Sequence, residues 1–285
     1  MIFERFFGNR KPTREPPQPQ SDSESGQSEA FRASRAVEVV DFISREVSAM
    51  IRPDIRTVEI ERLVAKITKP TGAHLYFKGY RGYPSIISLP VNDELVHTPP
   101  SKRILREGDL LKMEFGVALD SRHAVVEWTF PVGRISLEDQ TLLEGAHNAL
   151  LAGLGEVRTG ARLGAVSFAI HRALTASGLS PNRDFVGYGI GTQPVMSPQI
   201  PCYSSCTDET QVGGPRLCKG MVLAILVIAH QGKSACFVNP NGWGVRTTDG
   251  RKAALFSRMI EVTDGGAKIL TRDPVFMPPC SAASV

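Results

Sequence analysis

The 285-residue sequence lacks any apolar run long enough to cross a bilayer. Runs such as Met221-Val-Leu-Ala-Ile-Leu-Val-Ile-Ala229 fall well short of the roughly 20 residues that a membrane helix needs, and they read as buried strands. Residues 1–7 carry no apolar core followed by a cleavage site, so no secretory leader is legible and a cytoplasmic location is the expectation. Cysteine is sparse and odd in number, at five, which excludes a full disulfide framework and favours free thiols. Cys202, Cys206 and Cys218 share one Pro/Gly/Ser-rich stretch, yet their spacing offers no fourth ligand and is a weak zinc pattern. An excess of one charge is also missing. A net charge of +4 and a pI near 8.8 fall short of the clustered basic footprint of a nucleic-acid binder, so nucleic acid is not the expected partner.

Apolar side chains are missing locally as well. Between residues 12 and 26 there is no aliphatic or aromatic residue, so that stretch has nothing to offset the entropy of ordering. Residues 1–29 are therefore expected to form a disordered arm. It begins with the short amphipathic run Met1-Ile-Phe-Glu-Arg-Phe-Phe7, a candidate contact for a partner groove or a membrane surface. Residues 30–272 are assigned to one domain and residues 273–285 to a flexible tail.

Within the domain the hydrophobic period is legible. Ala36, Val40, Ile43, Val47 and Ile51 recur at helical spacing before Pro53, and a second helix is expected from a Thr57 cap through Ile60, Leu63, Val64 and Ile67 to Pro70. Strands are expected at 85–89, 95–97, 110–119 and 125–132, the last two joined by an Asp120-Ser121 hairpin turn. Helices follow near 138–154 and 163–178, then strands through Phe185, 221–229 and 256–262. Helices twice followed by strands imply an α+β fold, two related halves around one mixed, mostly antiparallel sheet.

Several motifs sharpen this. Asp184-Phe-Val-Gly-Tyr188-Gly-Ile-Gly191, Gly82-Tyr-Pro…Val91-Asn-Asp-Glu-Leu-Val-His97, Leu105-Arg-Glu-Gly-Asp-Leu-Leu111, Lys219-Gly-Met221 and Gly242-Trp-Gly…Thr247-Thr-Asp-Gly-Arg251 stand in one order. Each resembles a segment of the methionine aminopeptidase and creatinase family over about residues 30–271, and together they imply its pita-bread fold. The resemblance implies a site of two metal ions, about 3.5 Å apart, held by two Asp, one His and two Glu. Carried over by motif, those five positions are Glu114, Val125, Tyr188, Leu226 and Ser257. Only Glu114 keeps a carboxylate.

A phenol with an ordinary pKa near 10 stays protonated and binds divalent metals poorly, and Val125 and Leu226 offer no lone pair. Losing even a group behind a metal ligand typically costs 10- to 100-fold in affinity, so four lost ligands leave no metal site to expect, and no cofactor. The nearest acids that a slip in register would supply are Glu127, two residues from Val125 on the same strand face, and Glu261, four from Ser257.

The resemblance further implies that His97 contacts substrate, that a second assisting histidine falls at Val195, and that Trp243 lines the pocket. Glu114, His97, Tyr188 and Ser257 are expected to face one hollow. There Glu114, stripped of metal and beside Val125 and Leu226, would have a raised pKa. His123, His147, His171 and His230 are expected at the surface or capping. The leading expectation is a catalytically degenerate relative that binds a peptide or protein N-terminus, or a small ligand, in the former active site. The alternatives are a metal-independent enzyme that uses Glu114 and His97 as an acid–base couple, and a genuine methionine aminopeptidase with an altered metal site.

Overall fold

A computed structural model describes residues 34–273. The expected arm and nearly all of the expected tail lie outside the described residues. Helix α1 (Arg35–Met50) buries Ala36, Val40, Ile43 and Val47, and gives way just before Pro53. Helix α2 (Thr57–Thr68) begins one residue earlier than its expected cap implies. Arg56 is the N-cap, its backbone N–H donating to the Glu59 carboxylate at 2.7 Å, and the Thr57 hydroxyl is engaged with Ser101 instead.

Two strands follow in the first half, β1 (His74–Leu75) and β2 (Glu94–Val96), and then the long hairpin of β3 (Leu110–Leu119) and β4 (Arg122–Pro131). Asp120 and Ser121 both have positive φ, 51° and 58°, as a tight two-residue turn between twisted strands requires. The run at 85–89 is not a strand. Only Ser88 bridges to β3, at Glu114, and Pro84 and Pro90 interrupt any longer ladder.

The second half repeats the plan. Helices α3 (Leu137–Gly155) and α4 (Leu163–Ala176) are followed by β5 (Ser180–Pro181), β6 (Val186–Gly189), β7 (Met196–Pro201), β8 (Val222–His230), β9 (Cys236–Val238), β10 (Val245–Thr247), β11 (Ala253–Thr263) and β12 (Gly266–Ile269). Helix α1 packs on β3 and β4, and α3 packs on β8 and β11, so each half is a long antiparallel pair backed by a helix. Among the described residues all the strand pairs are antiparallel, in three hydrogen-bonded sheets: β1-β3-β4, β2-β10-β9 and the larger β12-β11-β8-β6-β7.

The halves meet along β4 and β11, where side chains replace backbone rungs. The Thr129 hydroxyl donates to the Leu255 carbonyl at 2.8 Å and accepts from the Leu255 N–H at 2.7 Å. Two residues on, the Glu127 N–H donates to Ser257 Oγ at 3.1 Å, and the Val125 N–H reaches Met259 Sδ at 3.2 Å. These rungs satisfy backbone donors that would otherwise be buried and unpaired, at about 1–3 kcal/mol each. They also bring positions 125 and 127 of one half beside 257 and 259 of the other.

The histidine expectations need one clear correction. His230 is fully buried at the end of β8, with its ring bonded to Asn182 at 3.0 Å. His171 accepts from the Ser204 N–H, and His147 lies edge-on to Trp128 and Phe256. Cys202, Cys206, Cys218 and Cys236 are free thiols, and no helix among the described residues is long and apolar enough to cross a membrane.

Candidate functional site

Above the β3–β4 hairpin, between the two halves, lies a cavity of about 80 Å³ that opens to solvent. Its walls are largely aromatic and aliphatic: Tyr80, Tyr83, Phe185, Val195, Leu226 and Trp243 contribute to them. Two acids form its floor. Glu114 and Glu127 are directly opposed partners on β3 and β4, so their side chains leave the same face of the hairpin, and each is at least nine-tenths buried.

Their partners are all neutral donors. One oxygen of Glu114 accepts from the Ser88 hydroxyl at 2.8 Å and from the His97 backbone N–H at 3.1 Å. One oxygen of Glu127 accepts from the Tyr188 hydroxyl at 3.2 Å. Burial is the largest influence on both and pushes their pKa values up, that of Glu114 to about 8, with the Glu127 charge raising the Glu114 value further through repulsion. His97 moves the opposite way, to about 4, because burial penalises its cation. His97 therefore does not serve as a counter-ion, and near neutral pH the floor holds an uncharged imidazole beside protonated acid.

Of the residues expected here, His97, Glu114, Tyr188, Leu226, Trp243 and Val195 line the cavity. Ser257 and Val125 do not. Ser257 pairs with Leu226 across β8–β11, but its hydroxyl is drawn into the seam, accepting from the Glu127 N–H, and the Val125 backbone is engaged there too. Glu261 is buried farther along β11, opposite Val222 and outside the cavity lining. Glu127, named in sequence only as a register neighbour, is the residue that reaches the floor.

Tyr76 has no counterpart among the sequence expectations. It follows β1, its N–H bonds to the Gly116 carbonyl, and its ring tip lies directly over the Gly116 Cα, where any Cβ would collide with it. The pKa values of Tyr76 and Tyr188 are both pushed well above the ordinary phenol value by burial, then by the Glu127 charge, and Tyr76 raises that of Tyr188 further. Two neutral phenols thus stand around Glu127. A lone glycine inside a strand was the available signal, since it marks a close approach of another group. The sequence did not say that the group is Tyr76.

Donor chemistry at the five carried-over positions is correspondingly poor: one carboxylate, one protonated phenol, one hydroxyl in the seam and two aliphatic side chains. Among the described residues, no group of three or more His, Cys, Asp or Glu side chains converges so as to hold a metal ion.

The model of metallopeptidase family M24 matches residues 32–264. The chain belongs to metallopeptidase family M24. Among M24 relatives, it is 38% identical over 234 residues to methionine aminopeptidase 1 of Bacillus subtilis, covering 82% of this chain and 92% of that one. It is 34% identical over 255 residues to methionine aminopeptidase 1 of Mycobacterium tuberculosis, covering 87% and 93%. The crystal structure of the Thermotoga maritima methionine aminopeptidase superposes with a TM-score of 0.81 at 31% identity, covering 87% of this chain and 97% of that one. The pita-bread architecture is that of these M24 proteins.

Two outcomes follow from the floor of the cavity. Gly116→Ala should destabilise the protein by about 1–3 kcal/mol in urea unfolding through overpacking against Tyr76. Tyr76→Leu in the same chain should recover much of that loss, whereas strictly additive losses would contradict the contact. Because folding raises the pKa of Glu114 from 4.5 to about 8, its contribution is fully present below pH 4.5 and is lost as pH rises through about 8. Glu114→Gln should therefore gain stability relative to the unaltered protein between pH 5.5 and 8, by at most about 1.4 kcal/mol per pH unit. A difference that does not change with pH would contradict the shift.

Proposed function

We propose that this M24 chain binds a peptide or protein N-terminus in the cavity between its halves and does not hydrolyse it through a two-metal centre. One observation carries the reading. Where the family resemblance implies five metal ligands, the cavity presents two opposed acids bonded only to hydroxyl and amide donors, with Leu226 in the wall and Tyr76 packed over Gly116. These residues do not fit a dinuclear centre. A pair of divalent cations needs several anionic or imidazole donors at once, and a phenol and a hydroxyl already engaged with protein neighbours cannot substitute for them.

What remains is suited to binding. Tyr83 and Trp243 meet edge to face, with ring centroids 5.1 Å apart, and the His97 and Phe185 rings meet edge to face at 5.6 Å, so the walls are mutually braced apolar surfaces. Such a pocket favours an apolar side chain, with a few polar groups at its base to set orientation. The similarity to methionine aminopeptidases supports a chain terminus as the occupant, since it extends over most of both chains.

A second reading has one observation in its favour. With Glu114 raised to about 8 and His97 lowered to about 4, an uncharged acid and an uncharged base face one cavity near neutral pH, as metal-free acid–base catalysis would require. Against it, Glu114 is reached by the His97 backbone N–H, while the His97 ring packs on Phe185.

Purified protein incubated with Met-Ala-Ser peptide and added cobalt or manganese should release no methionine. Metal analysis after gentle purification should find far less than one transition metal per chain. Methionine release at a rate ordinary for the family, with two metals per chain, would overturn the binding reading. For the second reading, chelator-treated protein is incubated with a pool of short peptides. Turnover that survives the chelator and disappears in both Glu114→Gln and His97→Ala supports acid–base catalysis. No turnover, or turnover undiminished in both variants, removes it.

A further inference from the structure

The mouth of the cavity keeps aromatic surface in solvent. Tyr80 is 37% exposed, Phe77 and Trp243 are half-buried, and all three belong to the lining. Exposed apolar side chains grouped in this way, rimmed by polar residues, mark a surface that another segment covers. Among the described lining residues there is one guanidinium, that of Arg81, which is exposed and lies over the Tyr80 ring, 5.9 Å from its centroid. A covering segment that matches this mouth has large apolar side chains and an acid.

The chain itself carries such a segment. Met1-Ile-Phe-Glu-Arg-Phe-Phe7 holds Ile2, three phenylalanines and one acid, Glu4, while the stretch from 12 to 26 has no aliphatic or aromatic residue to compete for the walls. Reach is sufficient as well. Arg35, next to the first described residue, pairs with Asp120 at the hairpin turn, 3.9 Å away, and β3 runs back from that turn to Glu114 on the cavity floor, a distance of roughly 20 Å. Residues 8–33 join the run to the described chain, and a peptide of that length spans at most about 90 Å when extended and roughly 30 Å as a random coil. A segment tethered at a matching range has an effective concentration on the order of millimolar, so a modest contact suffices to hold it.

We propose that residues 2–7 dock in the cavity of their own chain and are the occupant that any outside peptide must displace. The phenylalanine rings lie against Tyr80, Tyr83 and Trp243, and the Glu4 carboxylate faces Arg81. An arginine has five donors, so it takes a carboxylate alongside its protein neighbours. This rests on the reading of the cavity as a peptide-binding pocket, and it adds the device that regulates the pocket: an outside ligand binds more weakly while the chain's own arm is in place, and in full only when the arm is released.

A synthetic Met-Ile-Phe-Glu-Arg-Phe-Phe peptide, labelled at its C-terminal end and followed by fluorescence anisotropy, tests the competition. It should bind the full chain carrying Phe3→Ser, Phe6→Ser and Phe7→Ser together at least about tenfold more tightly than the unaltered full chain, in which a tethered copy already fills the cavity. Equal affinities in the two folded proteins would overturn self-docking and leave the binding reading standing. Binding to neither protein would overturn self-docking as well.

Photo-crosslinking reads the contact without removing the aromatic run. A benzophenone amino acid in place of Phe6 in the full chain should crosslink within one chain to Tyr83, Trp243 or their neighbours in the lining, with a yield independent of protein concentration. Crosslinks only between two chains, rising with concentration, would assign the cavity to a second copy, and crosslinks only outside the lining would put the run elsewhere; either result overturns the proposal. Metal content and methionine release are read separately, so failure here is distinct from failure of the binding reading.

Discussion

The side-by-side burial of two carboxyl groups, Glu114 and Glu127, is the constraint around which the cavity is organised. They are opposed on one face of the β3–β4 hairpin, below the reach of bulk solvent, with a serine hydroxyl, a backbone amide and a tyrosine hydroxyl as partners. Two ionised acids in this position would need either metal cations or a large desolvation cost, and among the described residues no group of three or more His, Cys, Asp or Glu converges to hold a metal. Protonation is the remaining route to a stable floor. The raised pKa values of both acids, and of the two phenols beside Glu127, are its electrostatic signature.

The seam between β4 and β11 explains how these side chains fit together. Thr129, Ser257 and Met259 occupy the gap between the halves and bond to main-chain groups of the opposite strand. A glutamate at 257 would have a longer arm and a charge where Ser257 now accepts the Glu127 N–H. An aspartate at 125 would place another acid on the hairpin face that already carries Glu114 and Glu127. Val125 and Ser257 are thus parts of a joint between two half-sheets, and the apolar Leu226 belongs to the wall above it.

Much of this was legible in residues. The helical periods of 36–51 and 163–178, the hairpin at Asp120-Ser121 and the order of the glycine-rich motifs placed the fold, because each reflects a local rule of period or turn geometry. Tyr188 and Leu226 stood out in the motifs, since a phenol and an aliphatic chain differ chemically from what the resemblance leads one to expect, and both line the cavity. The role of Ser257 was not legible: a serine on a strand face gives no sign that a neighbouring strand will draw its hydroxyl sideways. Nor was Tyr76, which reaches the floor only because a two-residue strand aligns it over Gly116. Residues 85–89 failed as a strand for the opposite reason, since their β-like composition is overruled by flanking prolines. His230, at the end of an apolar strand, looked terminal and is instead enclosed with Asn182.

The most direct test of the account is anomalous diffraction from crystals of the full chain grown with manganese or cobalt. Neutral acids and a tyrosine-filled floor predict no anomalous peak between Glu114, Glu127 and Tyr188. Two well-occupied peaks about 3.5–4 Å apart in that space, the separation typical of two-metal centres, would contradict it.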